Sequence, residues 1–342
     1  MKLIRRSLIG ILSVLSLSLL AGCNSEALLS SVIQKQIAND MPPAYTQDKE
    51  GITVVTVGTA TPLPGERAQT GTAVFVNGYF FLFDVGSGVV QQCENLRFPL
   101  EELNGIFLTH YHSDHMMDVP NLISRSWLLG RNHELPVYGP NTLNGLVEAA
   151  NGYIAIDNLY RLAHHGPAII DTSLAKGIPH EFQIAPNATQ VVFEQDGIKI
   201  TAVDVAHEPI EPAVGYVIEY KGKKVVLSGD TKKNALLGQM ARDCDLLVHE
   251  VMLMTVQQII EAELRKAGRE RDATLIHDIQ DYHSSPGEVA DLAQQAGAKR
   301  VVLNHLAPAP DNRLFRKLYL QEMKAYTGPI HLANDGDVFV VK

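Results

Sequence analysis

From residue 51 onward the chain is built of short apolar runs separated by breaks rich in glycine, asparagine and aspartate. The stretches "ITVVTVGT", "TAVFVNG" and "YFFLFDVGSG" predict three early strands, and "IFLTH", beginning at Ile106, predicts a fourth. "MMDVPNLISRSWLL" beyond it predicts a helix, and "LPVYGP" another strand. Two hairpins are marked, one in "VVFEQDGIKITAVDV" turning at Asp196-Gly197 and one in "AVGYVIEYKGKKVVLSGD" turning at Lys221-Gly222. "SSPGEVADLAQQAG" carries a complete helix start: Ser285 as N-cap, Pro286 in the first turn, Glu288 three residues past the cap, and Gly297 as the stop. "RVVLNH" then predicts a strand, followed by a helix near 312–326 and a closing "VFVV" strand. Strands mixed with covering helices imply a layered α/β domain.

The first 50 residues break this pattern. Lys2, Arg5 and Arg6 precede an apolar stretch from Leu8 to about Leu20 that ends in small residues, the pattern of an export signal. The ending "LAGC", Leu20 to Cys23, resembles a bacterial lipobox, which implies cleavage before Cys23 and lipid on its sulfur; a plain secretory signal or an uncleaved anchor is the other reading. Asn24 resembles the neighbour that permits sorting to an outer membrane. Lipid on Cys23 would hold a soluble domain on the periplasmic side of a membrane without a protein span. The expected organisation is a signal peptide over 1–22, a polar tether with a short helix over 23–50, and one domain over 51–342.

Composition changes the picture in two ways. A formal charge of −9, with no basic run, argues against a nucleic-acid partner, which calls on Lys and Arg to neutralise phosphates. Cys93 and Cys244 are the only cysteines besides Cys23; they would pair in an oxidising compartment, and two buried free thiols fit at least as well.

The candidate chemistry sits at "IFLTHYHSDH". His110 and His112 are two apart at a strand end, so both imidazoles point the same way. Asp114 and His115 follow as the chain turns into a helix, facing a second point nearby. Imidazole nitrogen and carboxylate oxygen are donors that zinc favours, and four of them suffice to begin two metal sites. Three more donors end apolar runs downstream: His207 in "VDVAH", Asp230 in "VVLSGD" and His305 in "RVVLNH". Each follows a strand-like run, so each is expected at the rim where "FLTH" emerges. His133, His180, His277 and His331 read as ordinary core or surface residues.

From about Ile52 to the C-terminus, with "THYHSDH" as signature, the chain resembles the metallo-β-lactamase-fold hydrolases. The resemblance implies a four-layered αββα sandwich, two mixed sheets flanked by helices, with a two-metal site between the sheets. It implies that His110, His112 and His207 hold one metal, that Asp114, His115 and His305 hold the other, and that Asp230 bridges. Two Zn2+ per chain are expected, with Mn2+ or Fe2+ as alternatives. Asp84 in "FDVGSG" would orient a ligand histidine from behind.

"DLLVHEV", "HSSPGEVA" and "VVLNHLAP", with "VGTATPLPGERAQTGTAVFV" and its Arg67, resemble the ribonuclease Z and zinc arylsulfatase branch. That likeness implies that His283 and Glu250 act together on the leaving group; with Asp114 they are the catalytic candidates. Between His207 and Asp230 only the Lys221-Gly222 hairpin fits, leaving no room for the tRNA-clamping arm of ribonuclease Z. With the charge and the leader, this points to an exported hydrolase of a small anionic ester, arylsulfatase-like, with no nucleic-acid partner. Phosphodiesterase is the near alternative, and lactonase, tRNase Z-type activity or a silent scaffold are more distant. The segment "NGYIAIDNLYRLAHHGPAIIDTSLAKGIPHEFQI" has faint core periodicity and reads as an insertion over the site mouth, where Tyr160, Arg161, His164 and His165 would reach a substrate or simply lie on the surface.

Overall fold

The computed structural model describes residues 25–39 and 41–342; the expected leader, Cys23 and Asn24 lie outside them. In chain order the elements are α1 (Ser25–Asn39), β1 (Ile52–Gly58), β2 (Gly71–Val76), β3 (Tyr79–Phe83), α2 (Val89–Asn95), β4 (Leu103–Phe107), α3 (Ser113–Met116), α4 (Val119–Leu128), β5 (Leu135–Gly139), α5 (Leu143–His165), β6 (Gly177–Glu181), β7 (Thr189–Gln195), β8 (Ile198–Val205), β9 (Ala213–Tyr220), β10 (Lys223–Leu227), α6 (Ala235–Met240), β11 (Leu246–Met252), α7 (Met254–Lys266), α8 (Glu270–Asp278), α9 (Pro286–Ala296), β12 (Val301–Ala307), α10 (Arg313–Glu322), β13 (Ile330–Leu332) and β14 (Asp337–Val341).

The strands form two seven-stranded sheets, ordered β14-β1-β2-β3-β4-β5-β6 and β13-β12-β11-β10-β9-β8-β7. Both are mixed. In the first, β14 through β3 pair antiparallel and β3 through β6 parallel. In the second, β7 through β10 pair antiparallel and β10 through β13 parallel.

Period-two alternation explains why these strands read as unbroken apolar runs. Ile52, Val54, Phe81 and Phe83 point inward and meet Ile200, Val214 and Tyr216 of the second sheet. Val55, Val57, Phe80 and Leu82 point outward beneath Val119, Leu122 and Val147 of the helices. On the far side Val203, Val205 and Leu303 pack under Leu237, Val289 and Tyr319. Burial on both faces leaves no polar alternation to see. The result is the expected four-layered αββα sandwich. Both predicted hairpins form, with positive φ at Asp196, Gly197, Lys221 and Gly222, the geometry of a turn that follows strand twist. Cys93 and Cys244 are both free and buried.

The segment after β5 differs from the reading of an insertion over the site mouth. Residues 143–165 form α5, which lies against α4, β5 and β6 as part of the outer helical layer. β6 then extends the sheet in parallel register with β5, pairing Leu135 with Gly177. The helix buries a narrow stripe, Leu143, Val147, Ala150 and Ile154, yet Tyr153, Ile156, Leu159 and Tyr160 on its outer side are exposed. Apolar residues on both faces flatten the helical period, which is why the sequence looked irregular. Ahead of β1, Tyr45 meets the ring of Phe75 edge-on at 5.9 Å, so the last part of residues 41–50 packs on the sandwich.

At α9 the capping box is complete: Ser285 Oγ accepts from Glu288 N and the Glu288 side chain accepts from Ser285 N. Ser285→Ala removes one side of that exchange and should lower unfolding free energy by about 1 kcal/mol. A urea titration with an unchanged midpoint would show that the cap contributes nothing to stability.

Candidate metal centre

The cluster begins where β4 stops at Phe107. The chain bends at Thr109 and runs to His112, whose backbone is extended, before α3 folds Asp114 and His115 back beside them. Asp84, just past β3 and at a φ of 57°, anchors this turn. Its carboxylate accepts from Thr109 N at 2.8 Å and stands 2.9 Å from His115 Nδ1. Thr109 Oγ1, itself bonded to Asp84, lies 3.0 Å from His110 Nδ1. One carboxylate thereby sets the orientation of His115 directly and of His110 through a hydroxyl. The loop behind it is tight, since a Cβ on Gly86 would stand 2.0 Å from the Asp114 carbonyl oxygen.

The downstream residues arrive from the second sheet. His207 follows β8, and its Nδ1 is held 3.0 Å from the Tyr282 carbonyl oxygen. Asp230 follows β10. His305 lies inside β12, where the register steps from Glu250 opposite Asn304 to Val251 opposite Leu306. His305 is the extra residue of this bulge, at a φ of 45°, and the bulge turns its ring into the site.

All seven residues converge. His110, His112, His207 and Asp230 form one group and Asp114, His115 and His305 another, with the donor atoms of each within 4.8 Å of one another. Nε2 of His110 and of His207 stand 3.0 and 3.3 Å from His112 Nδ1. Asp230 Oδ2 joins the groups, 3.2 Å from His115 Nε2, 3.3 Å from His305 Nε2 and 3.9 Å from His110 Nε2. Asp114 Oδ2 lies 3.1 Å from His305 Nε2.

Electrostatics divide the cluster. Burial pushes the His110 pKa far below the usual range and that of His207 down to about 4, leaving neutral rings with free lone pairs. Burial opposes ionisation of Asp230, but His305 and His115 outweigh it and hold this carboxyl well below the ordinary value. Burial likewise works against charge on His115 and His305, and Asp230 reverses it, raising both. A pocket that keeps carboxylates ionised and draws protons onto neighbouring rings favours positive charge, which metal ions supply in exchange for protons. His115 Nε2 and Asp230 Oδ1 are buried without a hydrogen-bond partner, as donor atoms reserved for a cation would be. The residues fit metal ions.

Beside the cluster, His283 Nδ1 stands 3.3 Å from Glu250 Oε2, and both residues are buried. Glu250 is fixed through Oε1, which accepts from Ser284 N at 2.8 Å. His283 also shares a 4.8 Å donor group with Asp230 and His305, so the geometry admits it to a metal as well as to a leaving group. Among the described residues, a cleft of about 180 Å3 opens over the cluster; Thr61, Pro62, Leu63, Met252, Ile279 and Tyr282 form its outer wall. Tyr160, Arg161, His164 and His165 take no part in that lining and sit on α5.

Sequence reasoning missed Thr109, Asp335 and Tyr282. Thr109 hid inside the signature itself. Asp335 accepts from Thr59 N, Thr59 Oγ1 and Ala68 N, closing the loop that carries Thr61 to Leu63. Arg67 bonds Thr59 Oγ1 and the Ala333 carbonyl oxygen across the same closure. These are contacts between chain ends, invisible to local pattern. Tyr282 adjoins the recognised "HSSPGEVA", and its neighbourhood was the one available signal.

The beta-lactamase superfamily domain matches residues 79–306, a span containing every residue of the cluster. Ribonuclease Z of Mycolicibacterium paratuberculosis is 31% identical over 291 residues, covering 83% of this chain and 96% of the relative. Among solved structures, the metallo-β-lactamase fold protein YhfI of Bacillus subtilis superposes with a TM-score of 0.61 at 19% identity, covering 85% of this chain and all of that one. The short form of human tRNase Z gives 0.58 at 21% identity, covering 84% and 98%. The expectation of a small anionic ester as partner, with nucleic acid excluded, does not stand, because a relative matched over nearly its whole length is named a ribonuclease. Its physical weakness is that net charge sums over remote surface acids, whereas a scissile phosphate meets only the local field of the cleft. The chain belongs to the metallo-β-lactamase superfamily, in its ribonuclease Z-like branch.

Proposed function

We propose that this chain is a metal-dependent phosphodiesterase with RNA as its substrate class. The observation that carries this reading is the near end-to-end likeness to a ribonuclease in a chain whose seven donor residues all meet at one cleft. In this reading His110, His112 and His207 hold one cation, Asp114, His115 and His305 hold the other, and Asp230 is shared. Zinc suits such imidazole and carboxylate donors best, and manganese or iron would also be accepted. Bound there, the cations would neutralise the phosphodiester and acidify the attacking water.

The chain's own residues do the remaining work. Asp84 and Thr109 hold two imidazoles in place. Asp114 lines the cleft and offers a carboxylate to accept the proton of the attacking water. His283, paired with Glu250, stands where it can pass a proton to the departing oxygen. Pro62, Leu63, Ile279 and Tyr282 line one side of the cleft with largely apolar surface against which the rest of the substrate would rest. The leader read from the sequence would carry this activity out of the cytoplasm.

Three measurements test the proposal. With zinc-loaded protein, a short RNA and a bis-aryl phosphate should be hydrolysed with a kcat/KM at least tenfold above that for an aryl sulfate; turnover of the sulfate alone would overturn the assignment. Asp84→Ala should weaken metal binding about 10–100-fold while preserving the fold, because it frees two ligand rings. Metal titration followed by mass spectrometry, beside circular dichroism, reads this directly, and wild-type affinity in the variant refutes the role of Asp84. His283→Ala should slow alkyl phosphodiesters by about 10²–10⁴-fold and activated aryl esters much less, since a phenolate leaves without a proton. Equal losses on both would remove the proton-donor role.

A further inference from the structure

The clustered histidines differ in how each ring is held from behind. His110 Nδ1 lies 3.0 Å from Thr109 Oγ1, His115 Nδ1 lies 2.9 Å from Asp84 Oδ2, and His207 Nδ1 lies 3.0 Å from the Tyr282 carbonyl oxygen. His305 turns its Nε2 to Asp114 and Asp230, yet its Nδ1 is buried and finds no hydrogen-bond partner among the described residues. Asn304, its chain neighbour, is buried too, and its Oδ1 is likewise unpartnered. A histidine that ligates through Nε2 carries its proton on Nδ1 and calls for an acceptor there. An asparagine oxygen is such an acceptor. A buried donor and a buried acceptor therefore stand unmatched on adjacent residues.

The bulge in β12 is what brings them to one side. In a regular strand successive side chains alternate between faces, and Asn304 and His305 would part. With His305 as the extra residue, both instead line one small space between the sheets, of about 30 Å3, bounded also by Thr72, Ser228 and Glu250. A buried water needs roughly 10–15 Å3 of such space and at least two polar partners. Other acceptors around this space are engaged. Glu250 Oε1 accepts from Ser284 N at 2.8 Å, and Oε2 faces His283 Nδ1 at 3.3 Å. Ser228 Oγ accepts from Glu250 N and donates to the Gly229 carbonyl oxygen. Asp84 is occupied by Thr109 and His115.

We propose that Asn304 is a positioning residue of the metal centre, holding one buried water between its Oδ1 and the Nδ1–H of His305 and so fixing that ring with Nε2 toward the cation. The inference rests on the reading of His305 as a ligand. The water accepts from Nδ1–H and donates to Oδ1, which keeps the proton on Nδ1 and leaves the Nε2 lone pair free. Asn304 thus does for His305 what Asp84 does for His115, with a neutral amide and a water in place of a carboxylate. A neutral partner suits this position, because Asp84, Asp114, Asp230 and Glu250 are already buried there and a further buried charge would need its own compensation.

The test uses the full chain and zinc, read by metal titration and by NMR of isotope-labelled histidine. Asn304→Leu, close in size but without an acceptor, should weaken one of the two bound cations about 10–100-fold and leave the other as in the wild type. Asn304→Asp keeps an acceptor oxygen and should bind both at least as tightly as the wild type. In the zinc-loaded wild type, NMR should show a slowly exchanging Nδ1–H on His305 that Asn304→Leu loses while the ring N–H signals of His110, His115 and His207 persist. A residue that merely filled the core would weaken both cations alike and gain nothing from aspartate. The proposal is overturned if Asn304→Leu binds both cations as the wild type does, if it weakens both equally, or if Asn304→Asp fails to restore the affinity. Should leucine prevent folding, the wild type alone decides, since a His305 Nδ1–H that exchanges freely with solvent also overturns it. A wild type that binds fewer than two cations overturns the ligand reading itself, whereas two tight cations unaffected by Asn304→Leu overturn only the water-bridged role.

Discussion

Asp230 is a carboxylate buried between two sheets and surrounded by imidazoles, and the rest of the site is organised around making that tolerable. An isolated buried charge costs far more than one side chain can return, so a buried anion persists only where it is paired and hydrogen-bonded. Here the compensation comes from His110 and His115 in the turn after β4 and from His305 at the bulge inside β12. Bringing them together needs two sheets packed face to face with their site-bearing ends on one side, which the inter-sheet core of Val54, Phe83, Val214 and Tyr216 enforces. The sandwich is therefore the frame that lets charge accumulate at its edge.

Much of this was legible in the sequence, for reasons that differ by element. Strands buried on both faces announce themselves as apolar runs, and the hairpins at Asp196-Gly197 and Lys221-Gly222 are local chemistry. The α9 cap is a four-residue motif that closes on itself. His110, His207, Asp230 and His305 were legible because each ends an apolar run, and His112, Asp114 and His115 because they crowd into the five positions after His110. α5 was misread because its two faces are both apolar, so the usual contrast between core and solvent was missing. Asp335 and Thr109 were missed because their roles depend on partners that only folding brings near.

The substrate class was the least legible property. Overall acidity and a short interval between His207 and Asp230 describe the whole molecule and the chain length, neither of which acts at the scissile bond. What acts there is a field set by His115, His305 and Asp230 over a few ångströms. A likeness spanning nearly the full length of a ribonuclease carries more weight than a sum of charges because it constrains that local arrangement too.

The bulge at His305 has a consequence for how sequence change is tolerated along β12. Because this histidine is one residue more than its partner strand can match, its direction is decoupled from the pleat on either side. Loss of a single residue nearby would restore regular pairing and swing the ring away toward the opposite surface, leaving the strand intact and the pocket without one of its arms. Evolutionary drift here would erase chemistry while sparing architecture, a route by which a scaffold outlives its activity.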